Sequence, residues 1–154
     1  MTARKFYGIF LTVFGAVAFL ASCVNILMWD QPRKVMEIEP EKVAYVTVGH
    51  SVREVVFTDR DVITDLARQC NTLYARRCSF SPGHIIMGGY YVCFHMKSGL
   101  HQEIGFHASR TGAFEAKYVR FTNDDGFHLW QICDGEINLT PYTDYASAHD
   151  LWGT

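Results

Sequence analysis

The feature that most constrains this chain is a run of 24 consecutive uncharged residues near its amino terminus, from Phe6 to Trp29. At ~1.5 Å rise per residue, a helix of that length just exceeds the ~30 Å hydrocarbon thickness of a bilayer. The run therefore predicts a signal-anchor helix over residues 1–29, with residues 6–29 in contact with the lipid bilayer.

Charges on either side of this run predict its orientation. Arg4 and Lys5 precede the run and Asp30 follows it. The positive-inside bias places the flank that is richer in Lys and Arg in the cytoplasm. We therefore expect a single-pass membrane protein with a cytoplasmic amino terminus and an extracytoplasmic carboxy-terminal domain, either periplasmic or extracellular.

Two other interpretations of the amino-terminal run remain open. A cleaved secretory signal normally has an apolar stretch of only about 7–15 residues, which is shorter than this run. The tetrapeptide Leu20-Ala21-Ser22-Cys23 resembles the lipobox of bacterial lipoproteins, which implies lipidation of Cys23 after cleavage. All three interpretations export the domain that follows.

The charge balance of the chain bears on its partners. The chain has 14 Lys and Arg residues against 16 Asp and Glu residues. Binding to a phosphate backbone needs a basic excess, which this composition lacks. We therefore expect no nucleic-acid partner.

Beyond the anchor, the sequence divides into a charged segment and a globular domain. Residues 30–42 contain two prolines and seven charged side chains, which is typical of a solvated stalk. From Val43 onward, runs rich in β-branched and aromatic residues begin. We assign residues 43–154 to one extracytoplasmic domain.

The domain pattern predicts one main helix and about six strands. Val43–Val48 and Val52–Phe57 read as a hairpin, and apolar residues at helical spacing predict a helix from Thr58 through Arg77. Arg76 and Arg77 would then suit the carboxy-terminal end of the helix dipole. The remaining predicted elements are strands at 85–97, 100–108, 117–122 and 127–133, and a short helix that begins at Thr140-Pro141.

The register of one hairpin can be derived from its side-chain pattern. A Lys97-Ser98-Gly99 loop with the glycine in the left-handed conformation pairs Met96 with Leu100. One face is then almost entirely apolar and the other mostly polar, whereas a slip of one residue would mix the two sets. The whole order predicts an α+β domain in which one main helix packs on a mostly antiparallel sheet.

Five cysteines raise the question of redox state. Cys23 lies in the anchor, and the other four lie in the exported domain, where an even count favours disulfides. We expect the pairs Cys70–Cys78 and Cys93–Cys133. The alternative for Cys70 is a reduced thiol on the buried face of the helix.

The polar face of the hairpin carries the candidate metal ligands. The derived register makes His95 and His101 direct cross-strand neighbours, with Glu103 and His107 farther along the same face. Imidazoles and a carboxylate are ligands for zinc and similar ions, although polar residues are also what a solvated sheet face requires. No cofactor is indicated by any other motif.

Aromatic residues make up 14% of the chain, and an excess on an outward face would mark a recognition surface.

The sequence as a whole leaves three candidate functions. The first is a membrane-anchored extracytoplasmic protein-interaction module without enzymatic activity, either an accessory subunit, an inhibitor or an immunity-type protein that binds another envelope or extracellular protein. The second is metal binding or metal-dependent catalysis on the His95/His101 face. The third is a structural small subunit of a membrane complex.

Overall fold

The computed structural model describes residues 3–29, 31–77, 89–108, 114–121 and 130–152. It divides into two compact units, Met1–Gln31 and Pro32–Thr154. The first unit consists of helix α1, Ala3–Trp29, in which the side chains of Tyr7 and residues 10–24 are described. Cys23 lies inside this continuous helix.

Among the described residues, the structure contains no helix that is both long and apolar enough to cross a membrane.

The second unit is an α+β domain, which confirms the predicted class. Its helices are α2 (Arg60–Asn71) and α3 (Thr140–Ala148), and a short 3-10 turn covers Pro40–Lys42. The described strands are β1 (Arg33–Lys34), β2 (Val43–His50), β3 (Arg53–Phe57), β4 (Tyr74–Arg77), β5 (Tyr90–Met96), β6 (His101–Ala108), β7 (Phe114–Phe121) and β8 (Trp130–Asp134).

These strands form one sheet in the order β1-β4-β8-β7-β6-β5-β2-β3, and every recorded pairing is antiparallel. Eight strands are two more than predicted, because β1 and β4 lie in segments that the sequence assigned to a stalk and to a helix. Residues 85–88, part of one predicted strand, lie outside the described residues.

One face of the sheet and both short helices form the core. The buried side chains of α2 belong to a single cluster with residues of the central strands, so the main helix covers the apolar face as predicted. This cluster contains Ile63, Leu66, Ala67 and Cys70 from α2, and Val46, Val48, Val92, Phe94, Ile104, Phe106 and Val119 from the sheet. We call this the core face, and the opposite side the outer face.

The hairpin between β5 and β6 has the predicted register. His95 pairs with His101, and the Met96 amide donates to the Leu100 carbonyl at 2.8 Å. Gly99 has φ +87°, the left-handed conformation that the three-residue loop requires. Leu100 is 70% exposed, because it lies next to the loop and beyond the end of the buried core.

The predicted helix over residues 58–77 is too long. Helix α2 begins after Asp59, whose side chain accepts hydrogen bonds from the amides of Asp61 and Val62, and it ends at Asn71. After Asn71 the exposure alternates with a period of two, since Leu73 and Ala75 are buried while the residues between and beyond them are exposed. Arg76 and Arg77 therefore lie in β4 and do not complete a helix terminus.

The segment assigned to a stalk is packed on the domain from Arg33 onward. Arg33 and Lys34 pair with β4, and Ile38 is only 2% exposed. The Asn71 side chain makes two hydrogen bonds of 2.7 Å to the backbone of Ile38, one to its amide and one to its carbonyl. Val35 and Met36 also pack against the core, so strand pairing, apolar contacts and the Asn71 side chain together hold this charged segment on the domain.

The described cysteines are free thiols, so the predicted disulfide between Cys93 and Cys133 is absent. These residues lie on β5 and β8, which two other strands separate. At ~4.8 Å between strands they are roughly 14 Å apart, far beyond the ~7 Å limit for bridged Cα atoms. Cys70 is free and fully buried, as in the alternative interpretation, and Cys78 lies outside the described residues.

Candidate binding surface

The candidate site lies on the outer face, where β3, β2, β5 and β6 are neighbours. Direct pairing places the side chains in rows across these strands. We call the following residues the outer-face cluster: Tyr45, Thr47, Glu54, Tyr91, Cys93, His95, His101 and Glu103.

The row nearest the β5–β6 turn contains Tyr45, His95 and His101. The imidazole of His95 stacks on the ring of Tyr45, with the ring centroids 4.2 Å apart and the planes inclined by 14°. Its Nε2 atom lies 3.3 Å from the Thr47 hydroxyl oxygen. The rings of His95 and His101 lie 6.4 Å apart, so the predicted histidine pair is present.

The four predicted metal ligands are distributed along β5 and β6. Glu103 pairs with Cys93 in the next row, and position 107 lies six residues beyond His101, about 20 Å along the strand at ~3.4 Å per residue. The His107 side chain is outside the described part of the structure. Within the described residues, no three His, Cys, Asp or Glu side chains form a group that holds a metal ion.

Tyr91 contacts both strands that lie beside β5 on the β3 side of the sheet. Its ring lies across Gly49 on the neighbouring strand, where an added Cβ would be 2.1 Å from the ring atoms Cε1 and Cζ. Its hydroxyl donates a hydrogen bond of 2.8 Å to the Glu54 carboxylate on β3. A glycine at position 49 is therefore what allows Tyr91 to span β2 and reach β3.

The middle row of the cluster is well covered by its neighbours. Thr47 is 5% exposed and Cys93 is 6% exposed, although both lie on the outer face. Burial, followed by the negative charges of Glu103 and Glu54, raises the pKa of the Cys93 thiol to about 11. Cys93 is therefore protonated at neutral pH and supplies no thiolate nucleophile.

The same carboxylates act on Tyr91. Burial raises the pKa of its hydroxyl to about 12, and the hydrogen bond to Glu54 and the charges of Glu54 and Glu103 add to the effect. The hydroxyl therefore remains a hydrogen-bond donor throughout the physiological pH range. The cluster combines ordered aromatic rings with two carboxylates and two imidazoles.

A second polar network joins the two short helices. The Asp65 carboxylate on α2 accepts hydrogen bonds from Tyr142 on α3, from Arg68 and from Gln69. The Tyr142 hydrogen bond is the largest influence that lowers the pKa of Asp65. The side-chain Oε1 atom of Gln69 also accepts a hydrogen bond of 2.8 Å from the backbone N–H of Asn138. These bonds position α3 and give the network a structural role.

Sequence reasoning identified His95, His101 and Glu103 but missed Tyr45, Gly49 and Glu54. The available signal was Gly49. A glycine inside a β-rich run often marks a close approach of another group, whereas the sequence pattern placed it in the turn. The strand in fact continues through His50, and the turn consists of Ser51 and Val52.

Comparison with protein-family models, curated sequences and solved structures found no match.

Proposed function

We propose that this chain is a membrane-anchored extracytoplasmic protein-interaction module without enzymatic activity, of the accessory, inhibitor or immunity type. The observation that carries the proposal is the outer-face cluster, in which Tyr91 is fixed over Gly49 and bonded to Glu54. Tyrosine offers a large contact area and a polar tip, and it is enriched among the residues that dominate interface energies.

Prior ordering of the cluster favours binding. The Tyr91 ring is held by Glu54, and the His95 ring is held between Tyr45 and Thr47. Side chains that are already ordered lose less conformational entropy when a partner arrives. The carboxylates of Glu54 and Glu103 further indicate a partner surface with basic side chains.

Membrane attachment is the second part of the proposal. This part rests on the sequence, in which the uncharged run from Phe6 to Trp29 has 24 residues. At ~1.5 Å per residue, a helix over this run would be about 36 Å long, against a hydrocarbon core of ~30 Å. The basic residues before the run favour a cytoplasmic amino terminus, which would put the domain among other envelope or extracellular proteins.

The interaction proposal is tested by affinity capture of the full-length protein from its native membrane, followed by mass spectrometry. We expect a stoichiometric protein that the Tyr91→Ala variant loses and the Tyr74→Ala variant retains. Tyr74 is the matched control because it is an exposed tyrosine on β4, far from the cluster in the strand order. Equal capture by both variants would contradict a role for the outer-face cluster.

The same preparation separates the two alternative functions. A stoichiometric metal that disappears in His95→Ala and His101→Ala variants would indicate a metal site instead. Replacement of α1 by an unrelated apolar helix would abolish function only if the chain is a structural subunit that packs through this helix. For the proposed module, the replaced anchor should leave partner capture intact.

Topology is tested by labelling Cys133, which is exposed and free. A membrane-impermeant maleimide added to intact cells after mild reduction should label the wild-type chain more than a Cys133→Ser variant. Labelling of Cys133 only after lysis would place the domain in the cytoplasm and contradict the proposed orientation.

A further inference from the structure

Strand β3 is the last strand at one end of the described sheet. Within the described residues, β3 pairs only with β2, and no strand lies on its other side. Its pairing with β2 is continuous over five residue pairs without a bulge, whereas the strand at the opposite end, β1, has only two residues. β3 is therefore the longer and more regular of the two sheet edges.

The turn before β3 determines which backbone groups face this edge. His50 pairs with Arg53 across a two-residue loop, so the hydrogen bonds of that turn join these two residues. In an antiparallel pair, hydrogen-bonded and non-hydrogen-bonded pairs alternate. The backbone amides and carbonyls of Glu54 and Val56 consequently point away from β2.

These outward backbone groups have no hydrogen-bond partner in the described part of the chain. The side chain of Val56 is 53% exposed on the outer face. Natural sheets usually protect such an edge, because unpaired donors and acceptors next to an exposed apolar residue form a template for another strand.

The sequence of the edge is complementary to itself in one antiparallel register. A two-fold axis at Val56 places Val56 opposite Val56 of a second copy and Val55 opposite Phe57. It also places Arg53 opposite Asp59, which has extended backbone angles of φ −66° and ψ 132°. Opposite charges then meet at both ends of the paired strands.

Neighbouring registers lack this match. An axis at Glu54 would put two carboxylates directly opposite each other, which is destabilising. An axis at Val55 would face Arg53 with Phe57 and Glu54 with Val56, so the charges would lack partners. Arg53 is exposed and makes no ion pair with any described residue, so it is available for the Val56-centred register.

We propose that β3 is a self-association edge, where a second copy of this chain adds its own β3 antiparallel in the register centred on Val56. The paired strands form symmetric backbone hydrogen bonds at Val56 and ion pairs between Arg53 and Asp59. Because paired residues share a face, the two outer-face clusters lie on the same side of one continuous sheet.

Disulfide trapping tests the register. In the full-length chain in detergent micelles, with Cys23, Cys78 and Cys133 replaced by serine, the Val56→Cys variant should form a linked dimer under mild oxidation. Opposed residues in such a pair have Cα atoms ~5.5 Å apart, inside the range that a disulfide bridges. The Glu54→Cys variant is the matched control, because the two copies of position 54 lie about 14 Å apart in this register and should not link.

Light scattering on the full-length chain, corrected for detergent, tests the energetics. The Val56→Pro variant removes only an outward amide and leaves the bonds to β2, so the fold should persist by circular dichroism. Loss of the two symmetric hydrogen bonds at Val56 should weaken the dimer about tenfold, while Val56→Thr should leave it intact.

A charge exchange supplies an independent variant. Arg53→Glu should weaken the dimer, and Asp59→Asn in the same chain should recover part of the loss, because asparagine keeps the helix cap and removes the repelling carboxylate. A monomer at all concentrations would overturn the proposal. A dimer that survives Val56→Pro, or that links through position 54 and not 56, would overturn it equally.

Discussion

Because the Tyr91 ring lies against Gly49, the Gly49→Ala substitution should change the stability in opposite directions in the wild-type chain and in the Tyr91→Ala chain. In the wild-type chain, Gly49→Ala places a Cβ 2.1 Å from the Tyr91 ring, so the ring must move. In a Tyr91→Ala chain the obstructing ring is absent. We therefore expect the same substitution to destabilise the first protein and to stabilise the second.

The magnitude follows from the contacts. Displacement of the ring breaks the 2.8 Å hydrogen bond to Glu54, worth about 1 kcal/mol net, and repacking around the added methyl costs about 1–3 kcal/mol. Replacement of glycine by alanine inside a strand returns roughly 0.5–1 kcal/mol. Gly49→Ala should thus cost about 1–3 kcal/mol in the wild-type chain and stabilise the Tyr91→Ala chain by about 0.5–1 kcal/mol.

The assay is urea unfolding of the four full-length proteins in detergent, followed by tryptophan fluorescence and analysed as a double-mutant cycle. The expected coupling between positions 49 and 91 is about 2–4 kcal/mol, at the upper end of what is found for residues in contact. Additive effects, or a neutral Gly49→Ala in the wild-type chain, would refute the geometry assigned to Tyr91.

Three further predictions concern stability. Asn71→Ala removes both hydrogen bonds to the Ile38 backbone and should cost about 2–4 kcal/mol in urea unfolding, against about 1 kcal/mol or less for the exposed Asn138→Ala. The raised pKa of Tyr91 gives stability that is present below pH 10 and lost as the pH rises toward 12, so the stability difference from Tyr91→Phe should shrink over that interval; a constant difference would contradict it. The lowered pKa of Asp65 gives stability that is present above pH 3.8 and lost below it, so Asp65→Asn should destabilise at neutral pH and have little effect at pH 2, as thermal unfolding at both pH values would show.

Local patterns explain which parts of the fold were predictable. The β5–β6 hairpin follows from Gly99 and from the alternation of apolar residues, and both signals lie within twenty residues of each other. Helix α2 has its own cap at Asp59 and a clear apolar stripe. The sequence prediction extends this helix beyond Asn71, because Leu73 fits the spacing of apolar residues in a helix as well as the alternation of buried residues in the strand that follows.

Features that depend on distant contacts were not predictable. Ile38 is one apolar residue among charges, and its burial depends on Asn71 in a helix 33 positions away. The Cys93–Cys133 pairing failed because it requires the strand order, which local patterns do not contain. Glu54 belongs to the candidate site only because the Tyr91 hydroxyl donates a hydrogen bond to it. That bond depends on Gly49, which leaves room for the Tyr91 ring to cross β2.

The central claim is that the outer face of the sheet contacts a protein partner outside the cytoplasm. In-cell crosslinking tests it most directly, with a photoreactive amino acid placed at position 101 on the outer face or at position 64 on exposed helix α2. Both His101 and Thr64 are exposed, so the two sites differ in the surface that they report. We predict a specific crosslinked partner from position 101 and none from position 64; partner crosslinks from position 64 alone, or equally from both, would contradict the account.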